Sequence, residues 1–339
     1  MNGLGRKITL TIVFLLLFSG LAGAVGPVRI TRDARLIRVD EALDWLVTQQ
    51  EDDGSFGHSP SLTADVVFVL ALTGENPDED PWVRNGHSAL EALAAYTPQI
   101  VASGKAGAIA KVLRAVSLTE ADQRHFAGYD LVAELMKKYN SVTGRFDPSS
   151  NFSQALAIQA LVTAGETPPA KAILALIQEQ HNDGGWGWQA GGTTSDVDTT
   201  GLILETFGAI GVPPTVYRFQ EAIAYLQARQ QPDGGWGMNA QHPESNCNST
   251  ALAMRGLVWI GANVRTLPWT GPNPDGSWRD PLGRLMQFQA PDGGFRWQDD
   301  IDGTRVLATT DAIPALFLPW NGDAPLSVQY FIPAVVQEK

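Results

Sequence analysis

Apolar and polar positions along this chain alternate between two kinds of periodic segment. From Val39 to Gln50, Ala42, Trp45, Leu46 and Val47 recur at helical spacing beside Asp40, Glu41 and Asp44, which predicts an amphipathic helix. Leu62 to Leu72 is apolar on almost every side, which predicts a helix enclosed by others, with Thr63 as its N-cap. The alternation continues through pairs near 85–97 and 105–117, 128–139 and 152–164, 169–180 and 197–210, 217–230 and 249–261, and 281–289 and 308–318. Twelve helices in six pairs are expected. Ala, Leu, Gln and Glu dominate these segments and alternating runs are rare before Leu326, so strands are disfavoured.

Five turns share one spacing: Gln50-x3-Gly54-x-Phe56, Asn140-x3-Gly144-x-Phe146, Gln180-x3-Gly184-x-Trp186, Gln230-x3-Gly234-x-Trp236 and Gln289-x3-Gly293-x-Phe295. The second helix pair lacks such a turn and is punctuated by Pro98 and Gly104 instead. A flat stack of six hairpins would leave inner helices uncovered, whereas a closed ring buries them all. The predicted fold is therefore all-α: an α/α toroid of six helical hairpins over 38–320, its inner helix N-termini opening on one mouth. Residues 25–37 read as an extended lead-in and 321–339 as a short tail, in which Leu326 to Val336 alternates around Pro333.

Composition changes this picture in three places. Arg6 and Lys7, the apolar run Ile8 to Phe18 and Ala22-Gly23-Ala24 make residues 1–24 a candidate signal peptide, so a secreted or cell-surface protein is expected. The formal net charge is −12. Without that segment 22 Lys and Arg face 36 Asp and Glu, a net of −14, which makes nucleic acid an unsuitable partner. Cys247 is the only cysteine, so no disulfide within the chain can form.

The Gln-x3-Gly-x-Trp turns resemble the QW motifs of squalene-hopene cyclases, and the repeats resemble a superfamily of α/α toroids. That superfamily holds terpene cyclases, protein prenyltransferase β subunits and cobalamin carriers such as transcobalamin and intrinsic factor. The resemblance implies the fold but leaves the function open. The Gln and the aromatic of each turn, Trp186, Trp236 and Phe295 among them, have a structural reading as helix-end satisfaction and packing. Trp188 and Trp297 lie two residues further on and are freer to face a ligand.

Asp196-Val197-Asp198-Thr199-Thr200 resembles the cyclase DxDD motif, whose middle Asp donates a proton to an alkene or epoxide. Asp198 falls on that acid and Asp196 on its first partner, but Thr199 stands where the last Asp belongs. A lone Asp in the first turn of a helix faces the positive end of the macrodipole, which favours its ionised form. Ser195-x-x-Asp198 also reads as a capping box.

The zinc branch is disfavoured: Ser245-Asn246-Cys247 replaces the prenyltransferase Asp-x-Cys pair, and Ala308-Thr309-Thr310-Asp311 carries no His. No metal site and no zinc are expected, and Cys247 reads as a small buried residue. A thioester run is missing too, since Asn248, Ser249 and Thr250 follow Cys247.

Asn248 to Leu257, Asp198 to Leu202 and Ala312 to Leu316 are similar to segments of the cobalamin carriers. The resemblance implies a polar ring for corrin amides made of Thr63, Asp65, Asn151, Asp198, Thr199, Asn248, Thr310 and Asp311, with His181 a candidate axial ligand. The acidic loop Gln298 to Gly303 lacks EF-hand spacing and reads as solvated rather than calcium-binding.

These signals lead to an exported toroid that binds a hydrophobic or corrinoid ligand without turnover, no cofactor beyond a possible corrinoid being implied. The alternative is a terpene cyclase or prenyltransferase-type enzyme using Asp198 as general acid. A carbohydrate-active toroid, with Trp188 and Trp297 beside paired carboxylates, or a structural or adhesion module, is the second alternative.

Overall fold

The computed structural model describes residues 33–212 and 217–317. The candidate signal peptide, most of the lead-in and the tail beyond Phe317 lie outside the described residues. Twelve α-helices appear among the described residues. The outer set is α1 (Ala34–Thr48), α3 (Ala89–Ser103), α5 (Leu131–Met136), α7 (Ala170–Gln178), α9 (Tyr217–Arg229) and α11 (Pro281–Gln287). The inner set is α2 (Pro60–Thr73), α4 (Ala106–Val116), α6 (Asn151–Thr163), α8 (Val197–Ala209), α10 (Cys247–Trp259) and α12 (Arg305–Phe317).

The inner helices pack in chain order, α2 on α4, α4 on α6, and so on to α12, which returns to α2. The ring is closed. Burial all round the inner helices is the reason: Thr63 to Leu70 in α2 and Gln154 to Leu161 in α6 are buried without a break. Each outer helix lies against the inner helix that precedes it, and α1 completes the circuit on α12.

The five turns stitch the ring. Gln50 Nε2 donates to the Gly54 carbonyl (3.1 Å) and to Trp82 O ahead of α3 (2.8 Å). Gln180, Gln230 and Gln289 repeat this, reaching Arg218 O, Trp269 O and Arg38 O at 2.7, 3.0 and 2.9 Å. Each glycine makes the approach possible. A Cβ on Gly184, whose φ is +88°, would lie 2.3 Å from Glu221 O.

The aromatic of each turn is latched to the next inner helix through its N–H. The acceptors are the hydroxyls of Thr63, Thr200, Thr250 and Thr309 for Phe56, Trp186, Trp236 and Phe295, at 3.1, 2.9, 3.0 and 2.9 Å. Asn140 is too short for the stitch, and Gln154 takes over both tasks. Its Oε1 accepts from Phe146 N (2.7 Å), and its Nε2 donates to Gly144 O (3.0 Å) and Ala172 O (3.2 Å). The indoles of Trp186 and Trp236 are buried and donate to Leu176 O and Leu226 O, satisfying carbonyls in α7 and α9.

Several boundaries differ from expectation, each for a local reason. The lead-in is not extended from residue 34 on: Asp33 caps α1 by accepting from Arg35 N at 3.0 Å. Ser59, not Thr63, caps α2, with Pro60 in its first turn, because the Thr63 hydroxyl is occupied by the Phe56 latch. A Ser88–Glu91 capping box starts α3 at Ala89, behind the short hairpin of β1 (Val83–Arg84) and β2 (His87–Ser88). Pro98 lies inside α3 rather than ending it. A second hairpin, β3 (Gly271–Pro272) with β4 (Trp278–Arg279), precedes α11.

The tightest crossing is between α8 and α10. A Cβ on Gly201 would stand 2.4 Å from Leu252 O, and one on Gly256 2.4 Å from Gly201 O. Only glycine allows this backbone contact, which holds the second turn of α8 against the middle of α10.

Candidate active site

Asp196 caps α8, its Oδ1 accepting from Thr199 N and its Oδ2 from Trp188 N, each at 2.7 Å. Ser195 does not form the expected capping box. Its hydroxyl bonds Asp183 Oδ1 (2.7 Å) and His181 Nδ1 (2.8 Å). Asp196 thus serves the backbone, which leaves Asp198, two residues on, to face the ring's interior.

There the six inner helices enclose a cavity of about 320 Å³. Asp65, Asp198, Asn248 and Asp311 line it from α2, α8, α10 and α12, and Trp297 lines it from the last turn. Thr63, Asn151, Thr199, Thr310, Trp188 and Asp196 do not line it, because their groups are committed elsewhere or face away. Asn151 Nδ2 donates to Gly187 O (3.0 Å) while its Oδ1 accepts from Arg145 (2.8 Å), and the Thr310 hydroxyl donates to Leu307 O (3.0 Å). Thr199 is buried outside the cavity lining, and Trp188 is 59% exposed.

Trp188, Met238 and Trp297 occupy equivalent places around the ring. Each lends its carbonyl to the first N–H of an inner helix: Asn151 (2.9 Å), Val197 (2.8 Å) and Cys247 (2.8 Å). Of the three, Met238 and Trp297 reach the cavity.

The Asp198 carboxyl is pushed up to about 7, first by burial, then by the neighbouring charges of Asp196 and Asp311; a hydrogen bond from Ser249 opposes this. Asp198 Oδ1 is buried with no protein partner. Ser249 is held by Asn246, whose Nδ2 donates to its hydroxyl at 3.0 Å. Desolvation overrides the helix-end effect that favoured ionisation in the sequence. Asp311 lines the same cavity and its charge acts on Asp198; burial pushes the Asp311 carboxyl up as well.

Around Asp311 the cavity is strongly polar. Asn248 Nδ2 donates to Asp311 Oδ2 (2.7 Å), Lys111 Nζ donates to Asp65 Oδ2 (2.6 Å), and Arg255 pairs with Glu205 (2.7 Å). Arg114 Nη1 donates to Gln159 Oε1 (2.8 Å). Phe152, Leu156, Leu202, Leu252 and Leu307 form the apolar wall. Sequence reasoning missed Lys111, Arg114, Glu205 and Arg255, although a charged residue inside an otherwise apolar helix is a visible signal.

Cys247 is buried, and its thiol donates to Ala308 O at 3.5 Å. His181 lies outside the cavity lining, held by Ser195. In the acidic loop, Asp299 pairs with Arg284 (2.7 Å) and Asp302 with Arg296 (3.1 Å), so arginines compensate part of its charge. Among the described residues, no group of three or more His, Cys, Asp or Glu side chains is arranged to hold a metal ion.

No curated protein matches the chain in sequence. Residues 143–256, from ahead of α6 through most of α10, match the squalene-hopene cyclase C-terminal domain. Among solved structures, type II terpene cyclase MstE from Scytonema is 16% identical with a TM-score of 0.57, covering 83% of this chain and 97% of that one. A variant of it in complex with geranylgeranyl dihydroxybenzoate is 15% identical, with a TM-score of 0.56 over 83% of this chain and 96% of that one. A glycosidase variant in complex with glucose is 13% identical, with a TM-score of 0.52 over 85% of this chain and 100% of that one. At such identities the likeness is one of fold. The closed ring and its stitched turns give this chain the α/α toroid fold of those cyclase structures, and within it residues 143–256 are similar to the squalene-hopene cyclase C-terminal domain.

Proposed function

We propose that this chain cyclises an isoprenoid substrate by protonating an alkene, with Asp198 as the general acid. The observation that carries the reading is the Asp198 carboxyl itself: buried, raised to about 7, with one oxygen unpartnered, in a cavity that sets charged residues opposite an apolar wall of Phe152, Leu156, Leu202, Leu252 and Leu307. An acid must hold its proton at working pH to give it up, and burial among other carboxylates does this.

Asp198 gives its proton to one carbon of a terminal C=C bond, leaving a tertiary cation on the other. The next C=C attacks that cation, forming a ring C–C bond. The last cation loses a proton and Asp198 is reprotonated, so the product is an isomer of the substrate and no electrons are exchanged. Trp297 and Phe152 can face the passing cation with their rings. The apolar wall limits quenching by water.

MstE in complex with geranylgeranyl dihydroxybenzoate supports a prenylated substrate as the first trial. This reading is favoured over the turnover-free binder expected from the shortened DxDD run, since a second carboxylate, Asp311, shares the cavity and helps to keep Asp198 protonated. A corrinoid is less favoured: of the eight-residue polar ring, Thr63, Asn151, Thr199 and Thr310 do not face the cavity. Export remains part of the proposal, resting on residues 1–24.

The test is incubation of the protein with geranylgeranyl dihydroxybenzoate, with chromatography and mass spectrometry reading new products of unchanged mass. Cyclised isomers from the wild type and none from Asp198→Asn are expected. Isomers made equally by the variant, or binding without any conversion, would overturn the reading.

A further inference from the structure

Three cations line the cavity, and two of them have a carboxylate of their own. Lys111 has Asp65 at 2.6 Å, and Arg255 has Glu205 at 2.7 Å. Arg114 has none. It is 8% exposed, its Nη1 donates to the neutral Gln159 amide oxygen at 2.8 Å, and its Cζ lies 3.7 Å from the centre of the Phe68 ring. Gln159 is oriented as an acceptor because its Nε2 donates to Leu202 O at 3.4 Å.

Glu205, Asp65 and Asp311 act on Arg114 only through space, and a buried guanidinium without a carboxylate in contact is costly, so chains tolerate it where something else completes its pairing. Arg114 sits one helical turn beyond Lys111 on α4, so both face the cavity from one side. Phe68 fixes the guanidinium plane, and Gln159 occupies one edge of the fork. The remaining N–H groups are free for a planar acceptor.

We propose that Arg114 is an anchor for a carboxylate carried by the cavity's ligand, an apolar chain with a single acidic end. A single charge suits the site better than a multiply charged phosphate, because Asp65 and Asp311 share the cavity and would repel the extra charge. Asp198 is on α8 and Arg114 on α4, two inner helices separated in the ring by α6. A ligand held by its acidic end at Arg114 would present its hydrocarbon to Asp198. This assignment rests on the proposed isoprenoid reading for the nature of the chain, but not on turnover.

The experiment compares geranylgeranoic acid with geranylgeraniol, which differ in the acidic end and share the hydrocarbon. Binding is measured calorimetrically at pH 7.5 on wild type, Asp198→Asn, Arg114→Gln and Arg114→Lys, each checked for folding by circular dichroism. The acid is expected to bind about tenfold or more tightly than the alcohol to the wild type and to Asp198→Asn. Arg114→Gln should erase the difference by weakening the acid alone, and Arg114→Lys should restore part of it. Equal binding of acid and alcohol by the wild type, or equal loss of both in Arg114→Gln, would overturn the anchor. Failure of the cyclase reading looks different: the acid preference persists while no isomer forms. If Arg114→Gln does not fold, the wild-type and Arg114→Lys comparison decides alone.

Discussion

Gln289, just after α11, donates its side-chain amide to the backbone carbonyl of Arg38 in α1, 2.9 Å away across 251 positions of sequence. The same amide donates to Gly293 O at 2.8 Å. The last turn of the repeat is thereby fastened to the first outer helix.

Gln289→Ala should cost about 1–2 kcal/mol, the loss of two hydrogen bonds with partial solvent replacement. The melting temperature should fall by roughly 2–4 °C for each kcal/mol in a chain of this size. Scanning calorimetry reads both, and an unchanged midpoint would remove the ring-fastening role.

Gly201→Ala should be more damaging, because the new methyl would meet Leu252 O at 2.4 Å. Overpacking typically costs about 1–3 kcal/mol, and the backbone of α8 must move away from α10. Denaturant unfolding should show that loss, with a further loss of turnover if Asp198 is displaced from Ser249.

The Asp198 carboxyl links stability to pH. Its folded pKa of about 7 lies above its ordinary 3.8, so between those values the folded chain holds a proton that the unfolded chain has released. Raising pH through that window therefore destabilises the fold. Asp198→Asn, which cannot ionise, should gain relative to wild type from pH 4 to 7, by up to about 4 kcal/mol, and hold that gain above pH 7. Paired melts at pH 4.5 and 8 test this; a difference constant with pH would contradict it. Turnover, which needs the protonated acid, should decline above pH 7.

Trp188 and Trp297 separate rim from cavity. Trp297 is 38% exposed and lines the cavity, whereas Trp188 is 59% exposed and does not. Trp297→Ala should weaken ligand binding several-fold, consistent with about 0.5–1.5 kcal/mol for an aromatic contact, while Trp188→Ala should leave it unchanged. Titration with geranylgeraniol distinguishes the two.

The helices and the ring were legible because each is written in short-range periodicity, and the turns because Gly and an aromatic must recur where outer helix meets inner. The latch was not: Thr63, Thr200, Thr250 and Thr309 look like ordinary helix residues until the neighbouring turn is present. Thr63 read as a cap or a ligand contact for that reason. The raised carboxyl of Asp198 is not legible, because the helix-end effect is visible in sequence while burial and the charge of Asp311, 113 positions away, depend on closure of the ring. Arg114 is not legible either, because its consequence lies in the lack of a paired carboxylate, which only three dimensions reveal.

Because α12 returns to α2, no hairpin here has an outermost flank. Linear repeat arrays can fray from a free end and keep the remainder, but a circle has nowhere to begin. Excising or melting any one pair would strip cover from the helices on both sides of the gap, and with it both walls of the central chamber. The molecule should accordingly unfold as one cooperative body, with the acid at Asp198 lost in the same step as the scaffold.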